Sequence, residues 1–333
     1  MLCPYRYSPV FSPLSCFDLS GYICIFDAFN QLYIHLQTKV LTTMYQILDK
    51  TIIAPGVTKA IILAPEIARS RKAGQFVILR FYEEGERIPL TIADADPEKG
   101  TITIISQGVG KSTMYLEDMP VSEGILDVVG PLGHPTKIEK YGHVVCIGGG
   151  IGIAPIHPIA KELKAAGNRV TSILGGRTKD FVILEDWMRN VSDEVYITTD
   201  DGSYGERGFV TDMLNKLAVN GEKIDRVFAI GPVPMMKAVS NVTGKLGIPT
   251  IVSLNAIMVD GTGMCGACRI TVGGETKFVC VDGPEFDGSL VDFDQLTHRL
   301  NIFKDCDTEA LKQYSEEKGN PDCIKKRAFA GTK

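Results

Sequence analysis

Residues His143 to Asn168 read "HVVCIGGGIGIAPIHPIAKELKAAGN", and the change of rhythm inside this stretch decides the fold. "HVVCI" is a short apolar run of the kind that fills a fully buried strand. It breaks into Gly148, Gly149, Gly150 and Gly152, and then apolar residues recur at helical spacing until Gly167, a residue suited to ending a helix. The same alternation continues through "RVTSILGG", "FVILEDWMRNV", "EVYITTDDG", "FVTDMLNKLA", "DRVFAIGP" and "PMMKAVSNVTGKLG". Strands alternating with helices build a parallel sheet that receives ligands at the carboxyl ends of its strands. This α/β region is expected over residues 139–250, and a last strand, "PTIVSLNA", leads into a cysteine-bearing segment at 251–333.

Upstream the rhythm differs. "TKAIILAP", "GQFVILRFY", "IPLTIADAD", "GTITIISQG" and "GILDVVGPLG" alternate over a few residues each and are broken by Gly and Pro. Five or six such strands over residues 44–138 predict an antiparallel β-barrel. Residues 1–43 are aromatic but interrupted by Pro, Asp and Arg. They hold neither the roughly 18 apolar residues of a membrane span nor the basic and apolar regions of a signal peptide. Folded structure is expected to start at Met44, the first 43 residues reading as an extension from an upstream start.

Composition narrows the classes. The 333 residues carry 35 basic and 40 acidic side chains, interspersed, with net charge -5, so no basic stripe gathers nucleic acid. Nine cysteines are an odd count in a long chain. Three crowd one loop, which argues against a secreted disulfide framework and for the reducing cytoplasm.

Two glycine clusters and one cysteine loop carry the chemistry. Counted from Gly148, the G-x-G-x-x-G fingerprint meets Ile153 where its third glycine belongs, so context must support the motif. Glycines between a strand and a helix let the backbone approach a pyrophosphate, and the helix N-terminus offers free N–H donors. A tight turn with no ligand is the alternative. "GVGKST" (Gly108 to Thr113) is not a P-loop, because Ile105 stands where that pattern needs glycine. The segment Asp260 to Cys280, "DGTGMCGACRITVGGETKFVC", has Asp260-x4-Cys265-x2-Cys268-x11-Cys280. That is plant-type [2Fe–2S] spacing with aspartate in the first slot. A carboxylate can bind ferric iron, yet three thiolates and a carboxylate also suit tetrahedral zinc, which would make the chain a zinc-stabilised binding module. The other cysteines show no ligand spacing, and Cys146 reads as a small core residue.

Taken in order, "RIPLTI", "GVGKST", "GPLG", "GGGIGIAP", "GGRTKD", "TDDGSYGERGFVTD", "GPVPMM" and "CVDGPEFDG" resemble the ferredoxin reductase superfamily. The branch is the one that contains electron-transfer subunits of dihydroorotate dehydrogenase and the small subunits of NADH-dependent reduced ferredoxin:NADP oxidoreductase, also known as sulfide dehydrogenase beta subunits. The resemblance implies an FAD-binding barrel, a nicotinamide-binding domain and a [2Fe–2S] lobe. It places Pro89, Leu90 and Thr91 against the flavin, with the Thr91 hydroxyl near N5. Arg87 is one residue off the usual arginine position, which Ile88 holds. Ser106 and Gln107 would lie along the adenosine, and Lys111, Ser112 and Thr113 would hold the FAD pyrophosphate. Gly149, Gly150 and Gly152 would cradle the nicotinamide phosphates, and Gly231, Pro232 and Met235 would border the nicotinamide ribose, with Ile230 replacing a customary cysteine. Asp200 and Asp201 favour NAD(H), and Arg177 favours NADP(H). Asp260, Cys265, Cys268 and Cys280 would hold the cluster. The dihydroorotate dehydrogenase branch has four cysteines there, so Asp260 points to the bifurcating ferredoxin:NADP oxidoreductases. The implied partner is a larger flavoprotein with a second FAD and two [4Fe–4S] clusters, through which ferredoxin would connect.

Overall fold

A computed structural model describes residues 44–318, with Tyr45 onward forming one compact unit. The extension 1–43, with Cys3, Cys16 and Cys24, lies outside the described residues, as does Cys323. Antiparallel strands come first: β1 (Tyr45–Ala54), β2 (Val57–Leu63), β3 (Phe76–Arg80), β4 (Ile88–Asp96), β5 (Thr101–Gln107), β6 (Gly124–Ile125) and β7 (Asp127–Leu132). They pair in the order β6-β1-β2-β5-β4-β3-β7, a curled sheet whose two edge strands follow each other in sequence. The two-residue side-chain period fills the barrel. Thr58, Ala60 and Ile62 of β2 lie opposite Ser106, Ile104 and Ile102 of β5, and all six are buried.

Two helices accompany the barrel, α1 (Pro65–Ser70) and α2 (Lys111–Asp118). The second occupies the stretch that begins with "KST", where the sequence reading placed no helix. Its entry is set by Thr113, whose hydroxyl accepts from the N–H groups of Gly110 and Val109 at 3.0 and 3.1 Å. At its far end the Lys50 ammonium donates to the carbonyls of Leu116, Glu117 and Met119, which the helix itself leaves without partners.

The second sheet follows the expected alternation. β8 (His143–Gly149), α3 (Ile153–Ala165), β9 (Arg169–Gly176), α4 (Glu185–Val191), β10 (Glu194–Thr199), β11 (Glu206–Arg207), α5 (Val210–Val219), β12 (Arg226–Ile230), α6 (Val233–Leu246) and β13 (Thr250–Ser253) come in turn. After β13 the chain leaves the sheet for the cysteine loop, a hairpin of β14 (Arg269–Val272) and β15 (Glu275–Phe278), and the short α7 (Val279–Asp282). It returns as β16 (Glu285–Asp287), antiparallel to β13. The sheet order is therefore β11-β10-β9-β8-β12-β13-β16. The cysteine-bearing lobe thus leaves the sheet after β13 and rejoins it through β16.

The expected C-terminal tail contains two helices, α8 (Phe293–Leu300) and α9 (Lys304–Lys318). α9 packs back on α2: the buried Tyr314 and the exposed Lys318 both reach the Asp118 carboxylate, at 2.9 and 2.7 Å. Barrel and α/β domain share one apolar cluster, in which Val57, Ala73, Ala93 and Ile105 join Ile153, Ile156 and Ile159 of α3.

Candidate functional site

Of the residues expected to meet the flavin, β4 carries Pro89, Leu90 and Thr91, all half-buried, with Thr91 paired to Phe76 of β3. Thr58 and Ser106 face each other across β2 and β5, and each hydroxyl is buried without a hydrogen-bond partner. A buried unpaired hydroxyl costs on the order of 1–3 kcal/mol, so this cross-strand pair fits a barrel built to meet a polar group. Gln107 ends β5 beside it. The phosphate-binding hydroxyls expected at Ser112 and Thr113 are engaged elsewhere. Ser112 Oγ donates to Glu86 at 2.8 Å, and Thr113 Oγ1 serves the helix entry. What the turn presents is the first N–H groups of α2, Lys111 to Thr113, which no helix carbonyl can satisfy. Arg87 does not point at this turn. Its Nε donates to the carbonyl of Val259 at 2.7 Å, tying the entry to β4 to the start of the cysteine loop.

On the nicotinamide side the glycines divide into two kinds. A Cβ on Gly149 would strike Met235 Sδ, and one on Gly231 would lie 2.7 Å from Met235 Cε. A Cβ on Gly152 would collide with the Ile230 carbonyl and lie 2.8 Å from Gly231 Cα. These three glycines let the β8–α3 turn press against the β12–α6 turn, where Pro232 caps α6. Gly150 is different: its φ is +55°, and a Cβ there would meet nothing within 4 Å. Only Gly150 opens outward, as close approach of a pyrophosphate requires.

At the ends of β9 and β10, Asp200 and Asp201 N–H groups donate to the carbonyls of Gly176 and Arg177 at 3.1 and 3.3 Å. This brings the competing charges together. Arg177 stacks on Phe181 at 5.0 Å. Asp201 Oδ1 accepts from the Ser203 hydroxyl and N–H at 2.7 and 2.9 Å, bonds that hold its carboxyl below the ordinary carboxylate range. Asp201 thus builds the turn, and Asp200 is the exposed carboxylate beside it.

The cysteine loop presses on the barrel: a Cβ on Gly261, at φ +77°, would lie 2.7 Å from Leu132 and 3.0 Å from Ile78. Gly263 and Gly266 also have positive φ, +85° and +66°. Cys268 and Cys280 are buried with their sulfurs 3.2 Å apart, and Cys265 is exposed in the same loop. Asp260 organises the backbone. Its Oδ1 accepts from Thr262 N at 3.1 Å and its Oδ2 from Met264 N and Cys265 N, both at 2.9 Å. Desolvation opposes ionisation of this carboxyl, but the donors from Thr262, Cys265 and Met264 outweigh it and hold the group at about 2. Among the described residues no three His, Cys, Asp or Glu side chains converge as a ready cage for one metal ion. The donor set, a carboxylate and two thiols on the glycine-bearing loop with a third thiol on α7, has the chemistry of an iron–sulfur site.

One titratable group at the domain boundary has no mark in the sequence. Glu285 opens the return strand β16, and its Oε1 accepts from Thr136 Oγ1 of the barrel at 2.5 Å. Burial pushes its carboxyl up to about 7 against the opposing Thr136 bond. A raised carboxyl stabilises the fold fully below its unfolded value of 4.5, and that contribution is lost as pH rises through about 7. The interval corresponds to at most about 3 kcal/mol. Glu285→Gln is expected to match wild type at pH 4.5 and to be the more stable protein at pH 8, read from urea midpoints. Equal midpoints at pH 8 would remove the burial argument. Cys146 is fully buried in β8 with its thiol pushed up to about 12, as a core residue should be.

Comparison with known proteins now bears on this geometry. A family model for the iron–sulfur cluster binding domain of dihydroorotate dehydrogenase B matches residues 255–292, and one for the oxidoreductase NAD-binding domain matches residues 146–241. A Thermotoga maritima protein named dihydroorotate dehydrogenase B (NAD(+)), electron transfer subunit homolog, is 47% identical over 281 residues, 84% of this chain and 99% of its own. The Fusobacterium nucleatum electron transfer subunit is 35% identical over 237 residues, 68% of this chain and 90% of its own. A solved NADH-dependent reduced ferredoxin-NADP oxidoreductase chain superimposes with TM-score 0.78 at 47% identity, covering 81% of this chain and 98% of that one. Barrel, parallel sheet and cysteine loop together define an electron-transfer oxidoreductase of the ferredoxin reductase class, built for FAD, NAD(H) and a [2Fe–2S] cluster. Within that class the chain belongs to the family of dihydroorotate dehydrogenase B electron-transfer subunits. The iron–sulfur match replaces the zinc-module alternative. No helix among the described residues is long and apolar enough to cross a membrane.

Proposed function

We propose that this chain is the small subunit of an electron-bifurcating, NADH-dependent reduced ferredoxin:NADP oxidoreductase, working in the cytoplasm with a larger flavoprotein. The observation that carries this reading is Asp260, in the slot where a four-cysteine site would have its first thiolate, within three hydrogen bonds that shape the loop. The likeness to the solved bifurcating enzyme supports it. The partner would hold a second FAD and two [4Fe–4S] clusters and would meet ferredoxin.

Within the chain, the open backbone at Gly150 and the N-terminus of α3 receive the dinucleotide phosphates. The N–H groups at the start of α2 receive the FAD pyrophosphate, and Thr91 offers a hydroxyl to the flavin edge. Bound there, FAD supplies the exchange between two-electron nicotinamide chemistry and one-electron cluster chemistry. Arg87, through Val259, keeps the flavin strand and the cluster loop in register. Cys265, Cys268, Cys280 and Asp260 hold the cluster.

Asp200 accepts from a ribose diol and repels a further phosphate, so NAD(H) is the preferred nicotinamide. NADH should exceed NADPH in dye reduction by at least about tenfold, the factor given by roughly 1.4 kcal/mol of differential binding. Equal rates would defeat the Asp200 argument. The reading as a whole is tested by purifying the tagged chain from its own cells. A large iron–sulfur flavoprotein should come with it, and a co-purifying FMN barrel would instead make it the dihydroorotate dehydrogenase subunit.

A further inference from the structure

β4 carries an irregularity two residues beyond the flavin-facing Thr91. Its register on β5 runs Ile92 to Ile104 and then Asp94 to Thr103, so Ala93 is an extra residue with no partner on β5. The Ala93 carbonyl is met by the ring of His157, whose Nδ1 lies 3.3 Å away. His157 stands in the second turn of α3, the helix that begins at the Gly150–Gly152 phosphate turn. It is buried, and its other neighbour is Trp187 of α4, ring centroids 5.0 Å apart. A carbonyl can only accept, so Nδ1 carries the proton in this contact.

We propose that His157 is a positioning residue for hydride exchange: through the Ala93 bulge it fixes the flavin strand against the helix that carries the dinucleotide phosphates. Ion pairs flank the contact on both sides of the domain boundary. Asp94 meets Arg71 at 3.4 Å and Lys161 of α3 at 3.2 Å, and Glu162 of α3 accepts from Ala73 N at 3.2 Å. These surround His157 but hold its periphery. Of these α3 side chains, the histidine is the one whose partner is the β4 backbone, two residues past Thr91. Both ligands of the exchange are thereby referred to one rigid helix, and a shift of about 1 Å between reacting partners can cost on the order of 100-fold in rate.

This inference rests on the proposed flavin and nicotinamide sites, and the test separates the two. The FAD-loaded, cluster-loaded chain is mixed anaerobically with saturating NADH, and flavin bleaching is followed by stopped flow. NAD affinity, FAD content and amide exchange over residues 91–96 are measured alongside. His157→Leu should bleach about tenfold more slowly, bind NAD within about twofold of wild type and exchange faster over 91–96. His157→Asn places an amide N–H where Nδ1 stands and should keep at least a third of the wild-type rate. Should His157→Leu not fold, His157→Asn decides alone. A leucine variant that bleaches within threefold of wild type, or a folded asparagine variant that falls below a third, overturns the proposal. Failure of wild type itself to bleach with NADH would instead overturn the functional reading.

Discussion

Asp260→Ala is expected to leave a protein that holds FAD and has lost its iron–sulfur spectrum. Alanine removes three accepted hydrogen bonds from one loop, those of Thr262, Met264 and Cys265, and by the proposal it also removes an iron ligand. Loss of a supporting hydrogen-bonding group alone costs roughly 10–100-fold in metal affinity, and loss of a ligand costs more. Two further variants separate the contributions. Asp260→Cys restores a first-slot ligand and should keep a cluster with a spectrum nearer an all-thiolate site and a changed potential. Asp260→Asn leaves one accepting oxygen where the loop uses two, so it disturbs the loop as well as offering iron a neutral oxygen, and it too should lose most of the cluster. If Asp260 only shapes the loop, the cysteine protein, whose thiol accepts hydrogen bonds weakly, will lose the cluster or keep the wild-type spectrum and potential, and the argument for the bifurcating branch goes with it.

The glycine turn gives the other large effect, and it splits by position. Gly152→Ala should destabilise the whole protein, because its Cβ would meet backbone only: the Ile230 carbonyl, with its carbon at 2.6 Å, and Gly231 Cα at 2.8 Å. Neither can turn aside as a side chain could. The strain should reach about 3 kcal/mol or more, enough to lower the melting temperature by roughly 10 °C or to abolish soluble expression. Gly150→Ala should fold, since nothing lies within 4 Å of its Cβ and the left-handed backbone at φ +55° costs only roughly 1–2 kcal/mol. It should lose NADH affinity, because the new methyl occupies the space through which the pyrophosphate approaches. The reverse pattern, a tolerant Gly152 and a Gly150 variant with full affinity, would mean that the turn packs and does not bind.

Much of this architecture can be read from the sequence because period and punctuation agree locally. Helix α3 runs from Ile153 to Ala165 with Gly167 at φ +83° just past its end, where the apolar spacing and the glycine place it. The barrel strands likewise follow from two-residue alternation. Helix α2 is hidden because its opening residues, Lys111, Ser112 and Thr113, are polar and look like a phosphate loop; its entry is fixed by the Thr113 hydroxyl rather than by an apolar period. The sequence reading likewise places no hairpin at β14 and β15, although Gly273 and Gly274, at φ +59° and +81°, are a pair suited to a two-residue turn. At the site, residue types are legible and their engagements are not. Arg87 meets Val259, Ser112 meets Glu86 and His157 meets Ala93, pairs separated by 172, 26 and 64 positions. Tertiary packing brings these partners together, within the barrel for Ser112 and Glu86, barrel on cysteine loop for Arg87 and Val259, and barrel on α3 for Ala93 and His157, and no local spacing encodes it.

The central claim is that electrons from a nicotinamide pass through a flavin to an iron–sulfur cluster held on this one chain. The most direct measurement is anaerobic addition of NADH to the purified, cofactor-loaded protein, followed by low-temperature electron paramagnetic resonance. The account predicts the signal of a reduced [2Fe–2S] cluster, with a spin count that tracks the cluster content and a flavin bleached in the same sample. A bleached flavin with no cluster signal, in protein whose cluster dithionite reduces, would contradict it.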